Sequence, residues 1–202
     1  MSQAKTRQSH HHGNLRAALI EAGIELLSEG GRDALTLRGC AARAGVSHAA
    51  PAHHFDGLSG LKAAIAAEGF RRFRASMLRA ADAAEPTPRG RLKGICQGYL
   101  EFAREQPALF DLIFGFGATN SSKGPPLEEG ASAYAVLRDA CAPFVADGQD
   151  PAVIEAQVWS LIHGYTTLHL SHRLSPDRPS AAAPDRFDEV MALLDRIGAA
   201  PG

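Results

Sequence analysis

The sequence predicts an all-α protein, a small three-helix N-terminal domain followed by a larger helical one, and three observations carry that expectation. Ala, Leu, Glu and Arg recur with helical spacing along almost all of the 202 residues, whereas alternating β-branched or aromatic runs bounded by turns are nearly absent. The breaks between periodic segments are rich in Gly, Pro and Ser, residues that end helices and open turns. A chain of 202 residues is also long enough to bury a sizeable core, in one domain or in two of unequal size.

The elements follow in order. A first helix is expected over 14–28, where Leu15, Ala18, Leu19, Ala22 and Leu26 recur at about one-turn spacing, with Asn14 as N-cap and Gly30-Gly31 as the end. A short second helix starts after Thr36, whose hydroxyl suits an N-cap, runs through "LRGCAARA" and stops at Gly45, which has no Cβ to oppose a left-handed conformation. Ser47 is placed to cap a third helix, "HAAPAHH", with Pro51 in its first turn, where a missing donor is tolerated. Phe55 fits a core position, and Asp56 opens a long fourth helix with Leu61, Ile65, Phe73, Met77 and Ala80 facing inward. "AEPTPRG" (84–90) is the clearest break in the first half, and helices are expected at 90–105, 107–115, 127–146, 151–173 and 184–198. "GFGATNSSKGPP" and "LSPDRPSAAAP" read as mobile loops, and no internal repeat is found. The expected domains are 1–57 and 58–202.

Charge and cysteine content narrow the function classes. Lys and Arg total 21 against 22 Asp and Glu, so no global field draws the chain to nucleic acid or a membrane. Residues 1–62, however, hold seven basic groups (Lys5, Arg7, Arg16, Arg32, Arg38, Arg43, Lys62) against five acids, with six of the nine histidines. Cys40, Cys96 and Cys141 are odd in number and widely spaced, which argues against a disulfide framework and for a reducing cytosol. The first residues lack an apolar signal core, and no run reaches the roughly 18 apolar residues of a membrane helix, so a cytoplasmic location without membrane contact is expected.

The two short helices joined by "AGVS", covered by a longer one, make a helix-turn-helix whose second short helix projects outward. The DNA major groove, about 12 Å wide, admits a helix whose side chains are small, which suits Ala49, Ala50 and Ala52. His48 and His53 would then face base edges or phosphates.

The stretch "LRAALIEAGIELLSEGGRDALTLRGCAARAGVSHAAPAHHF" resembles the DNA-binding domain of the TetR family of transcriptional repressors, over residues 13 to about 62. "WSLIHG" (Trp159–Gly164) is similar to the Trp-His-Gly signature of one TetR-type C-terminal domain. The resemblance implies a homodimer reading a palindromic double-stranded DNA operator, with a C-terminal ligand pocket, a four-helix dimer interface and release by a small apolar effector. By motif position it makes Thr36, Arg38, Ser47, His48, Ala49, His53 and His54 the DNA contacts, with Arg38 the best bidentate reader of guanine. Two positions depart from the motif, with Ala52 where the family usually has Tyr and Leu58 where it usually has Lys, both phosphate contacts. Operator affinity would then be lower, or phosphate binding would lean on Lys5, Arg7 and the His10–His12 arm.

Within the C-terminal half, Phe102, Phe110, Phe114, Tyr134 and Trp159 are candidate ligand-binding residues, with ordinary core packing as the alternative. His163 is placed to hydrogen-bond a ligand or partner chain, or to be satisfied in the core by a backbone carbonyl. No metal, cofactor or catalytic residue is expected. His53 and His54 are adjacent and diverge by about 100° on a helix, and no Cys or carboxylate completes a zinc set with His163, His169 and His172. H-E-x-x-H, G-x-S-x-G and the phosphate-loop spacing are all absent. Two rival readings remain: an all-α scaffold without DNA binding, and a metal-dependent enzyme using the histidines.

Overall fold

Proline and small hydroxyl or carboxylate residues set where the helices start. The structure, a computed structural model, describes residues 7–115, 125–174 and 185–198. Among the described residues every regular element is helical: α1 (Arg7–Ala34), α2 (Leu37–Arg43), α3 (Gly57–Ala83), α4 (Pro88–Glu105), α5 (Pro107–Phe114), α6 (Pro125–Cys141), α7 (Pro151–Leu170) and α8 (Phe187–Met191). Short 3₁₀ segments at Ala50–His53, Ala142–Phe144 and Ala192–Arg196 accompany them. Thr36, Thr87 and Asp150 cap α2, α4 and α7, each side-chain oxygen accepting a first-turn N–H at 3.0 Å. Pro88 and Pro151 follow two of these caps, where a missing N–H costs nothing. The two expected mobile loops fall largely outside the described residues.

The helices expected over 127–146 and 184–198 end as α-helices at Cys141 and Met191 and pass into 3₁₀ segments, and two elements of the N-terminal part also differ from expectation. α1 starts at Arg7, so Asn14 lies inside the helix instead of capping it; no proline interrupts the segment before it. The break at Gly30-Gly31 is present as a kink, Gly31 having φ 69° and ψ −165°. The third helix is not an α-helix. Its residues form turns and the 3₁₀ segment Ala50–His53, whose start carries no side-chain cap from Ser47. Pro51 has no N–H to give the Ser47 carbonyl, which takes Ala50 N at 3.0 Å instead, and the i to i+3 pattern continues with Ala52 N to Ala49 O at 3.2 Å.

The chain divides into two compact units, residues 1–70 with 108–129, and residues 71–107 with 130–202. In the first unit α1 packs on α2, and Leu19, Leu27, Leu35, Cys40, Ala41, Leu61 and Ile65 are at most 2% exposed. Leu109 and Leu112 of α5 are buried in the same unit. Arg43 clamps α2 to α1, its guanidinium 2.7 Å from Glu29 and 3.2 Å from Glu25, while Arg32 Nε lies 2.8 Å from Asp111 of α5.

The second unit is centred on α4, which packs against α7. Leu92, Ile95, Tyr99, Leu100 and Phe102 of α4, with Val158 and Ile162 of α7, are at most 2% exposed. Phe73 of α3 meets Tyr99 edge-on at 4.7 Å and Phe102 at 5.4 Å. Ser76 Oγ donates to the Gly98 carbonyl at 3.0 Å, a distance possible because Gly98 has no Cβ. The C-terminal segment is held by Arg89, which donates to Ile197 O at 2.9 Å and stacks 4.0 Å over Phe144, and by Lys93, 2.7 Å from Asp195. All three cysteines are buried and free, and burial first pushes the Cys96 and Cys141 thiols up to about 12.

α2 and α7 end in the same motif with different residues at its left-handed position. After α2, Gly45 (φ 69°) donates to Ala42 O and Val46 N to Ala41 O, the paired bonds of a Schellman ending. After α7, Arg173 N donates to Leu168 O at 2.9 Å and His172 N to His169 O at 3.1 Å, but the left-handed residue is His172, φ 57°. A Cβ in that conformation costs about 1 kcal/mol. His172→Gly is therefore expected to raise Tm by about 2–4 °C for a chain of this size. An unchanged or lowered melting temperature by circular dichroism would show that the histidine side chain compensates its own strain.

Candidate DNA-reading and effector sites

The reading head is assembled by short-range rules and then braced. Thr36 starts α2, Gly45 turns the chain out of it, and Arg43 fixes its angle to α1 through Glu25 and Glu29. Those two carboxylates hold the guanidinium pKa well above its ordinary value, the hydrogen bond that Arg43 donates to Glu29 contributing most. Pro51 and Phe55 are buried and pin the 3₁₀ segment from beneath, with the Arg16 guanidinium 5.4 Å over the Phe55 ring. This leaves Arg38 exposed on α2, and Ser47, His48, Ala49, Ala52 and His53 exposed beyond the turn. Thr36 is exposed with its hydroxyl engaged in the cap, and His54 is half-buried with its ring 6.4 Å from Phe55. Arg38 has no hydrogen-bond or ion-pair partner among the described residues. Leu58 is half-buried. Lys5 and the side chains of Arg7 and His10–His12 lie outside the described residues.

The ligand candidates separate into two groups, one in each compact unit. Phe110 and Phe114 belong to the first, where Phe114 meets Phe70 edge-on at 5.8 Å and Phe110 at 5.1 Å. Phe102, Tyr134, Trp159 and His163 belong to the second. There His163 Nδ1 is 2.7 Å from the Tyr99 hydroxyl, so the half-buried histidine is met by a phenol. The Trp159 indole lies beside that hydroxyl and opposes part of the rise that burial gives its pKa. Burial favours the neutral form of both partners, lowering the His163 pKa and raising that of Tyr99. Trp159 is 38% exposed, its ring 5.1 Å from that of Tyr134, and the Tyr134 hydroxyl donates to Glu155. Sequence reading missed Tyr99, Glu155 and Arg43, because helical spacing says which face a residue occupies and not which polar group meets it across a helix pair.

The remaining histidine of α7, His169, serves the C-terminus of the unit. His169 stacks on Tyr165 at 5.8 Å, and its Nε2 accepts from Arg104 Nε at 3.1 Å. Burial, then the Arg104 charge, lowers its pKa. Among the described residues no group of three or more His, Cys, Asp or Glu converges on a metal-sized space. Asp185 accepts from the Tyr165 hydroxyl and from Arg104, both at 2.7 Å, and from Phe187 N at 3.1 Å at the start of α8. These bonds, that of Tyr165 foremost, hold its carboxyl at about 2, below the ordinary 3.8. A depressed folded-state pKa contributes stability above 3.8 that is lost as pH falls through about 2. Wild-type Tm is thus expected to fall over that window more steeply than Tm of Asp185→Asn; parallel pH profiles would remove Asp185 from the account.

A helix-turn-helix presenting an unpaired arginine and small residues, attached to a helical body with a polar and aromatic interior, is the construction of a DNA-binding transcriptional regulator. Residues 19–65 match the family model of bacterial regulatory proteins of the tetR family, and residues 92–194 match that of the tetracyclin repressor-like C-terminal domain. The chain belongs to the TetR family of transcriptional regulators. Among solved structures it is similar to a protein of unknown function from Rhodococcus sp. RHA1, with 30% identity, TM-score 0.76, and coverage of 95% of this chain and 97% of that one. Two more distant structures share the fold. The regulator FadR from Bacillus subtilis, in complex with stearoyl-CoA, is 13% identical with TM-score 0.64, covering 88% of this chain and 96% of that one. The multidrug binding protein EbrR, complexed with imidazole, is 20% identical with TM-score 0.61, covering 93% and 96%. No curated protein matches the chain. Among the described residues no helix is long and apolar enough to cross a membrane.

Proposed function

We propose that this regulator is a cytoplasmic, homodimeric repressor that binds a palindromic operator and leaves it when a small molecule enters its C-terminal domain, the functional division falling between residues 57 and 58. The observation that carries this reading is Arg38, exposed and without a partner among the described residues, beside the small-residue surface Ser47–Ala49 and His53. Arg38 pairs with guanine, and the turn residues approach the groove floor and phosphates. Dimerisation is supported by the far side of α7, where Val153 and Leu168 are each 43% exposed and Ser160 and Gly164 lie between them at helical spacing. Small residues there allow close approach of a second helix. Leu193, 50% exposed, adds apolar surface in the C-terminal 3₁₀ segment. A small-molecule effector is supported by the interior polar cluster of α4, α6 and α7, and by neighbours of the same fold that hold stearoyl-CoA and imidazole. Release requires the effector to favour one arrangement of the two heads over the other.

The testing experiment is selection of random duplex DNA by the tag-free protein at moderate salt. A two-fold site with half-sites about one helical turn apart is the expected outcome. No enrichment from folded, dimeric protein would sink the reading in favour of a scaffold without DNA binding.

A further inference from the structure

The inward side of α7 carries polar groups that the packing alone does not use. Glu155 is 8% exposed, and its carboxylate accepts a hydrogen bond from the Tyr134 hydroxyl, yet among the described residues no Lys, Arg or His forms an ion pair with it. Arg138, one turn along α6 from Tyr134, is turned to Asp139 at 3.1 Å. A carboxylate withdrawn from water is costly unless a cation joins it. One turn after Glu155, Trp159 leaves 38% of its surface open, its ring 5.1 Å from that of Tyr134. Its indole lies beside the Tyr99 hydroxyl, which is 2.7 Å from His163 Nδ1. A second, independent observation lies on the same side of the helix. The Thr166 hydroxyl is fully buried and has no hydrogen-bond partner among the described residues. Eleven residues is close to three turns, so Thr166 repeats the direction of Glu155 about 16 Å along the axis.

We propose that Glu155, Tyr134 and Trp159 form the binding site of an organic cation, a protonated or quaternary amine on an apolar body, with the ammonium set between the carboxylate and the two aromatic faces. The carboxylate supplies the counter-charge, and the indole and phenol faces attract a cation through their quadrupoles. Farther along the same face, the Thr166 hydroxyl is available to a polar atom at the other end of an elongated ligand. The same charge disfavours anionic molecules such as acyl-CoA thioesters at this position. The inference deepens the effector reading above by naming its chemical class, and it rests on that reading only for what happens at the operator.

Trp159 is the single tryptophan, so its fluorescence reports on the site directly. The intact protein is titrated near neutral pH with 4-phenylbutylamine and with 4-phenyl-1-butanol, which is similar in size but uncharged. A saturable fluorescence change at an amine affinity about tenfold or more above that of the alcohol is expected. Glu155→Gln should remove this preference by bringing the amine's affinity down to about that of the alcohol, and Tyr134→Phe, which keeps the carboxylate and both rings, should retain it. Equal affinities in the wild type, no saturable response up to about 1 mM amine, or a preference that survives Glu155→Gln would each overturn the proposal. Should Glu155→Gln fail to fold by circular dichroism, the wild-type comparison and Tyr134→Phe still decide. The titration uses no DNA, so its outcome is separable from the repressor reading. An amine bound through Glu155 that leaves operator affinity untouched supports the site and counts against release. Operator release by neutral compounds alone, with no amine preference, does the reverse.

Discussion

Arg38→Ala is expected to lower operator affinity by about 30- to 10⁴-fold. A bidentate arginine–guanine pair is worth about 1–3 kcal/mol, and a two-fold dimer loses two of them. Fluorescence anisotropy with the selected duplex would measure the loss, and the variant should also discriminate less at one base pair in each half-site. Stability should be unaffected, because Arg38 is exposed and has no partner among the described residues. That separates it from Arg43, whose contacts with Glu25 and Glu29 are structural, so Arg43→Ala should weaken binding by loosening the head and should lower Tm as well. Unchanged affinity in Arg38→Ala would mean that α2 does not read bases in this protein.

Gly98→Val is expected to be among the most destabilising single changes in the C-terminal unit. A Cβ at Gly98 would fall 2.7 Å from Met77 Cα and closer still to the Ser76 carbonyl oxygen, and neither backbone atom can swing aside. α3 and α4 would have to separate, breaking the Ser76 to Gly98 hydrogen bond and disturbing the Phe73–Tyr99 contact one residue away. Overpacking of this kind costs about 3 kcal/mol, or about 6–12 °C in Tm. Because Tyr99 holds His163 and Trp159, the tryptophan fluorescence should shift even below the transition. A Tm within about 1 °C of wild type would show that the helices can part cheaply.

The architecture was legible in the sequence wherever a local rule decides it. Thr36, Thr87 and Asp150 sit one residue before helices because short polar side chains satisfy first-turn N–H groups. Gly45 ends α2 because only glycine takes that φ without cost, and Leu61, Ile65, Phe73 and Met77 are buried because their spacing keeps them on one face of α3. Six of the seven residues that the motifs propose as DNA contacts, all but half-buried His54, lie at exposed positions. The same local reasoning misjudged the third helix. Pro51 was admissible in the first turn of an α-helix, but it is buried, and the segment tightened into a 3₁₀ turn around it.

Most helix positions, and the ends set by Thr36, Gly45 and Asp150, were therefore determined by the sequence itself, since capping, glycine conformation and apolar periodicity act within a few residues. Pairings between polar groups were decided only by the tertiary structure. Tyr99 and His163 are 64 residues apart, and Tyr134 and Glu155 are 21 apart. Which side chain meets which depends on the packing of α4 and α6 against α7, and hydrogen bonds form over about 3 Å, a tolerance that no one-dimensional pattern encodes.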